Sequence, residues 1–178
     1  MTYAASPHFP SHTIETAPAA AGPMLEATVA KFGFLPLPTA RHATAPLLVE
    51  ASHRLLTLFD KASLAPIERE AVVLVVARSF GCDLCRNMHA QLLASYGAAR
   101  ELVDALTEGA PIADARIAAL VRFVEATLRH TGGVSDEDLD AFVAAGYTPE
   151  QALEVVVGIG AYTLTMFGNR MTRSHSLR

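Results

Sequence analysis

Pro66-Ile-Glu-Arg-Glu-Ala-Val-Val-Leu-Val-Val-Ala-Arg-Ser-Phe80 is the stretch on which the fold turns. Its centre, Ala71-Val-Val-Leu-Val-Val-Ala77, has the β-branched composition of a buried strand, yet the whole segment has the length of a buried helix. Periodicity does not separate the two, because every central position is apolar. The start of the segment does. Pro66 suits a first helical turn, and the acids of Ile67-Glu68-Arg69-Glu70 lie where the helix dipole favours negative charge. The stretch therefore reads as helix, although Ala65 has no side chain with which to cap it.

Working outward, Gly81 interrupts the pattern, and Cys82 to about Tyr96 reads as the next helix, stopped by Gly97. Further helices are predicted at about Ala99–Glu108 and Ala113–His130, the latter closed by Gly132-Gly133, with His130 as a favourable cation at its C-terminus. Ser135 with Asp138 and Thr148-Pro149 with Gln151 mark two more helix starts, for segments running to about Ala145 and Thr172. Upstream, Pro46–Lys61 places Leu48, Leu55, Leu56 and Phe59 at core spacing, Phe34-Leu-Pro-Leu-Pro38 reads as a turn, and Leu25, Val29 and Phe32 mark a helix from Pro23 to Gly33. Residues 1–22 carry neither period and read as an irregular or partner-bound arm. The expected fold class is all-α: one compact multi-helix domain over 23–178 behind that arm.

A chain of 178 residues fits one domain with a substantial core. Hydrophobic residues make up 51%, and the mean hydropathy is +0.29, so part of the apolar surface is expected to lie between subunits of a homo-oligomer. Fourteen Lys plus Arg against 18 Asp plus Glu leave a net charge of -4, which disfavours nucleic acid and anionic membrane as partners. Met1–Pro10 shows no basic start followed by an apolar stretch, so the expectation is a cytoplasmic protein. The apolar run Val155–Phe167 falls short of the roughly 20 residues that span a bilayer. Both cysteines are three apart, and in a reducing compartment such a pair is expected to be redox-active or metal-binding.

The chemistry gathers at Cys82-Asp-Leu-Cys85. At a helix start, unpaired N–H groups and the positive dipole end favour a thiolate. Residues three apart share a surface, so the pair can close a disulfide within one turn. His89 follows Cys85 by four residues, stacks above it at roughly 6 Å between Cβ atoms, and is within reach for proton exchange. The competing readings are buried structural cysteines, a helix-surface histidine and, for Glu70, a solvated first-turn acid. His8, His12, His42, His53, His130 and His175 show no partner spacing and read as incidental. Arg78 and Arg86 flank the dithiol as ordinary helix-surface arginines.

Glu70, eleven residues, Cys82, two residues, Cys85, three residues and His89 resemble the motif of the alkylhydroperoxidase D-like branch of the carboxymuconolactone decarboxylase superfamily. The likeness extends from Phe32-Gly-Phe-Leu-Pro36 through Asp60-Lys-Ala-Ser-Leu64 to Tyr162-Thr-Leu-Thr-Met-Phe-Gly-Asn169 and weakens before residue 30. The resemblance implies an all-helical oligomer that reduces hydroperoxides, with no cofactor and no metal. Cys85 would become a sulfenic acid, Cys82 would resolve it to a disulfide, and Glu70 and His89 would relay protons. An external lipoyl or thioredoxin-type dithiol would reopen the pair. Where the best-characterised members carry a further histidine before the second cysteine, this chain has Leu84. The superfamily's lactone decarboxylases typically lack the paired cysteines.

Two other classes stand beside this reading. A thioredoxin-like disulfide oxidoreductase would need strands and a proline facing the dithiol, and only Pro111 and Pro149 follow, both beside helical patterns. A metal-binding or redox-sensing module would use Cys82, Cys85 and His89 as ligands with Glu70 or water as the fourth, but no second CxxC or His pair closes such a site.

Overall fold

The structure, a computed structural model, describes residues 6–175. The first five residues of the arm expected over 1–22 and the last three of the domain expected to reach 178 lie outside that range. Among the described residues there is no strand. The helices are α1 (Gly22–Phe32), α2 (Leu37–His42), α3 (Pro46–Phe59), α4 (Pro66–Ser79), α5 (Asp83–Ser95), α6 (Arg100–Glu108), α7 (Ala115–Arg129), α8 (Asp136–Ala144) and α9 (Pro149–Met171), with a single 3-10 turn at Ala19–Ala21.

The deciding stretch is a helix, and it sits at the centre of the molecule. Ala71 to Ala77 of α4 are all buried, walled by α5, α6, α7 and α9. A helix apolar all round is stable only when surrounded, and each of its buried Val and Leu side chains contributes roughly 1.5–3 kcal/mol. The helix supplies the returning half of a capping box: Glu68 reaches back so that the Ala65 N–H donates to its Oε2 at 2.8 Å. Glu68 Oε1 accepts from Arg116 Nε at 2.8 Å, and the Arg116 guanidinium lies 3.9 Å above the Tyr147 ring. Tyr147 ends a stack with Phe142 and Phe123, at centroid distances of 4.4 and 4.3 Å, which ties α7 and α8 together.

Two expectations are corrected. The turn read over 34–38 is cut short by α2, a six-residue helix with Pro36 as its N-cap and Pro38 in its first turn. Proline reads as a breaker, yet it is tolerated where the N–H has no intrahelical partner anyway, and a helix this short shows no period. In α3 the fully buried positions are Val49, Ser52 and Phe59, while Leu48, Leu55 and Leu56 are only partly buried. The face is rotated because α3 packs on α9 along one side and α1 and α2 flank it.

Helix α9 has 23 residues, longer than the apolar run inside it and enough by length to cross a bilayer. In this fold it packs on α2, α3, α4 and α7. A Cβ on its Gly158 would stand 2.6 Å from the Phe59 ring, so the crossing with α3 depends on that missing side chain. Gly158→Ala should therefore destabilise the protein by about 1–3 kcal/mol in urea unfolding, whereas Gly160→Ala, with open space around it, should not.

Candidate active site

Gly81, in the left-handed region at φ 61°, turns the chain from α4 into α5, and Arg170 Nη1 of α9 holds the turn by donating to the Phe80 carbonyl at 2.6 Å and the Gly81 carbonyl at 3.1 Å. Cys82 follows as the N-cap of α5 and not, as expected from the sequence, as its first residue, and its Sγ accepts the Cys85 N–H at 3.4 Å. The sulfur that receives the helix's free backbone donor is thus that of Cys82. The two cysteines are joined as a disulfide, with their Cα atoms 5.3 Å apart. Cys82 is 1% exposed and Cys85 5%.

Cys82, Cys85, His89 and Leu93 are all buried, at spacings of three, four and four, so they form one face of α5 turned into the core. Because α4 and α5 pack side by side as a helical hairpin, Glu70 lies opposite His89. His89 Nδ1 is 2.7 Å from Glu70 Oε2, with both residues buried. A carboxylate only accepts, so Nδ1 carries the proton and donates, which leaves Nε2 as the ring atom free to take or give a proton. The Tyr162 ring meets the imidazole edge to face at 5.1 Å and holds its plane. Burial first, and the Glu70 carboxylate second, push the Tyr162 phenol well above its usual range, so it stays protonated.

The four residues singled out in the sequence are brought together: Cys82, Cys85 and His89 on one helix face, Glu70 against the histidine. Two that were not singled out join them from α9. Tyr162 is one. Asn169 is the other, its Nδ2 3.3 Å from Cys85 Sγ and 3.8 Å from Cys82 Sγ, while its buried Oδ1 has no hydrogen-bond partner. A signal for both was present, since Tyr162 and Asn169 are seven apart and so share a face of a largely apolar helix. Leaving a buried carbonyl unpaired costs about 1–3 kcal/mol. Leu84 is half-buried, and its N–H donates to the His175 carbonyl at 3.0 Å, so the backbone at His175 lies against the opening of α5. With the sulfurs joined, no group of three or more His, Cys, Asp or Glu among the described residues is arranged to hold a metal ion.

No family model and no curated relative matches the sequence. Solved structures do. An alkylhydroperoxidase AhpD core, an uncharacterized peroxidase-related protein from Ralstonia eutropha, is similar with a TM-score of 0.80 at 21% identity, over 92% of this chain and 88% of that one. The chain has the AhpD-like fold. A peroxidase-related protein from Silicibacter sp. matches with a TM-score of 0.76 at 17% identity, over 97% of this chain and 91% of that one. A cysteine-to-alanine variant of the debrominase Bmp8 in complex with 2,3,4-tribromopyrrole matches with a TM-score of 0.74 at 20% identity, over 95% and 90%.

In this AhpD-like chain two histidines read as incidental serve the fold. His12 bonds the Thr16 carbonyl and the Thr44 hydroxyl, at 3.1 and 3.2 Å, which pins the arm beside α2. His42 is buried against Gly168, where a Cβ would come within 2.7 Å of its Nε2, one residue from Asn169. Burial pushes the His42 imidazole below its ordinary value of 6.5. The folded protein then binds fewer protons here than the unfolded chain does. Stability due to a neutral His42 is complete above about pH 6.5 and lost as pH falls through that value toward the folded pKa. His42→Gln should accordingly show a shallower decline of unfolding free energy between about pH 7.5 and 5 than the parent protein. Identical slopes in urea titrations would remove His42 as the cause.

Proposed function

We propose that the protein is a thiol-dependent hydroperoxide reductase in which the Cys82–Cys85 pair cycles between dithiol and disulfide. One observation carries this reading: the buried Glu70–His89 hydrogen bond sits one helical turn beyond Cys85 of the disulfide pair. The AhpD-like fold, with its peroxidase-related neighbours, supports it. In the forward reaction His89 Nε2 takes the Cys85 thiol proton and the Cys85 thiolate attacks a hydroperoxide oxygen; the S–O bond forms, the O–O bond breaks, and the departing alkoxide takes the Cys82 proton. The Cys82 thiolate then attacks the Cys85 sulfenic acid. The S–S bond forms, and hydroxide leaves with a proton from His89 as water. Hydroperoxide and two thiols become alcohol, water and disulfide. Glu70 holds the imidazole in the tautomer that makes Nε2 the shuttle atom.

An external dithiol of lipoyl or thioredoxin type reopens the pair, which suits a reducing, cytoplasmic compartment. Self-association belongs to the same reading and is supported by Leu153, Val156, Val157, Phe167 and Met171, apolar side chains left exposed along α9. A second reading rests on the likeness to the tribromopyrrole-bound debrominase. There the dithiol's two electrons would replace a C–Br bond by C–H, releasing bromide and closing the same disulfide.

With dihydrolipoamide as reductant, wild-type protein should consume an organic hydroperoxide. Cys85→Ser should consume none, and Cys82→Ser should stop after a single turnover with a trappable sulfenic acid. Glu70→Gln should lower kcat by about a hundredfold, the scale of a lost proton relay. If reduced wild-type protein left hydroperoxide untouched while releasing bromide from a bromopyrrole, the second reading would replace the first.

A further inference from the structure

The two sulfurs are served unequally. Cys82 Sγ has the Cys85 backbone N–H at the opening of α5 and lies 3.8 Å from Asn169 Nδ2, whereas Cys85 Sγ has that carboxamide, brought 84 residues along the chain, at 3.3 Å. The helix N-terminus therefore serves the cysteine that resolves, and the closer contact of the side chain serves the cysteine assigned as nucleophile. Asn169 is 6% exposed, and its Oδ1 is unpaired beside the disulfide. A residue kept only to fill this space would be apolar, since a buried carbonyl with no partner is a cost that leucine avoids. The reverse amide orientation would set an acceptor oxygen against sulfurs that themselves accept, so Nδ2 faces the pair.

We propose that Asn169 is the residue that stabilises the Cys85 thiolate, lowering its pKa and keeping it nucleophilic at neutral pH. The assignment rests on Cys85 being the attacking sulfur. A disulfide sulfur is a poor acceptor and a thiolate a strong one, so the Nδ2–H contact gains most when the pair is reduced. The other titratable groups on the elements around the pair are His89 with Glu70, Tyr162 against that imidazole, Arg170 at the Phe80 and Gly81 carbonyls, the Asp83–Arg86 ion pair on the first turn of α5, and His175, whose backbone meets Leu84. None of these contacts sets a donor on Cys85 Sγ; the Asn169 contact does.

The test uses the full-length chain carrying Cys82→Ser, so that Cys85 is the single thiol and serine keeps the N-cap of α5. Its alkylation by iodoacetamide is followed against pH, with Asn169, with Asn169→Asp, which keeps the volume but replaces the donor by a carboxylate, and with Asn169→Leu. Circular dichroism and a melting curve accompany each variant, and the Asp variant carries the test if the Leu variant does not fold. The expected result is alkylation slowed at least about tenfold at neutral pH, with the rates converging at high pH as the profile moves upward. Superimposable profiles would overturn the proposal, as would a uniform loss at every pH, which marks a merely structural role. Alkylation requires no peroxide. A shifted profile in a protein that reduces no hydroperoxide would leave Asn169 assigned and the peroxidase reading rejected, and an unmoved profile with turnover intact would do the opposite.

Discussion

Two carboxylates sit near the start of a helix whose middle is apolar on every side, and neither tolerates an apolar interior without a partner. Much of the architecture follows from how they are satisfied. Glu68 caps the helix that carries it and draws in Arg116, which brings the aromatic stack of α7 and α8 against the same end of α4. Glu70, two residues on, points to the opposite neighbour and takes the His89 imidazole. Removing either partner would leave a buried acid uncompensated, a far larger penalty than losing an exposed ion pair. The same constraint that satisfies Glu70 fixes the tautomer of the histidine one turn from the dithiol, so fold stability and site chemistry share one hydrogen bond.

Helix α9 completes the site from the far end of the chain. Its glycines let Phe59 and His42 approach its backbone, and that depth of packing delivers Tyr162 to the imidazole and Asn169 to the sulfurs. Arg170, next to Asn169, holds the turn from which the dithiol helix starts. The dithiol helix is therefore held to α4 through the His89–Glu70 bond and to α9 through the Asn169 contact with the sulfurs. Both sulfurs are nearly closed off from solvent, a low-dielectric setting in which each donated hydrogen bond weighs more than it would at the surface.

Most helix starts were legible because they rest on local chemistry: Ser135 and Thr148 cap the helices that follow them, whereas the Asp114 cap of α7, inside the start read at about Ala113, was passed over. The fold-deciding stretch was legible for the same reason, through Pro66 and the acids behind it. Helix α2 was missed because two prolines look alike whether they end a helix or begin one. The buried face of α3 was misread because the choice between Leu48 and Val49 depends on where α9 lies, which no local pattern encodes.

Of the site, the sequence by itself determined what is local: two sulfurs and an imidazole repeat along one face of a helix because three- and four-residue spacings leave no other arrangement once the helix forms. Tertiary structure alone decided the rest. Glu70 meets His89 only because the α4–α5 hairpin closes, and Asn169 meets Cys85 only because α9 packs back across 84 intervening residues. Such contacts are set by the burial of whole helices against one another, and burial is a property of the assembled core, not of any segment within it.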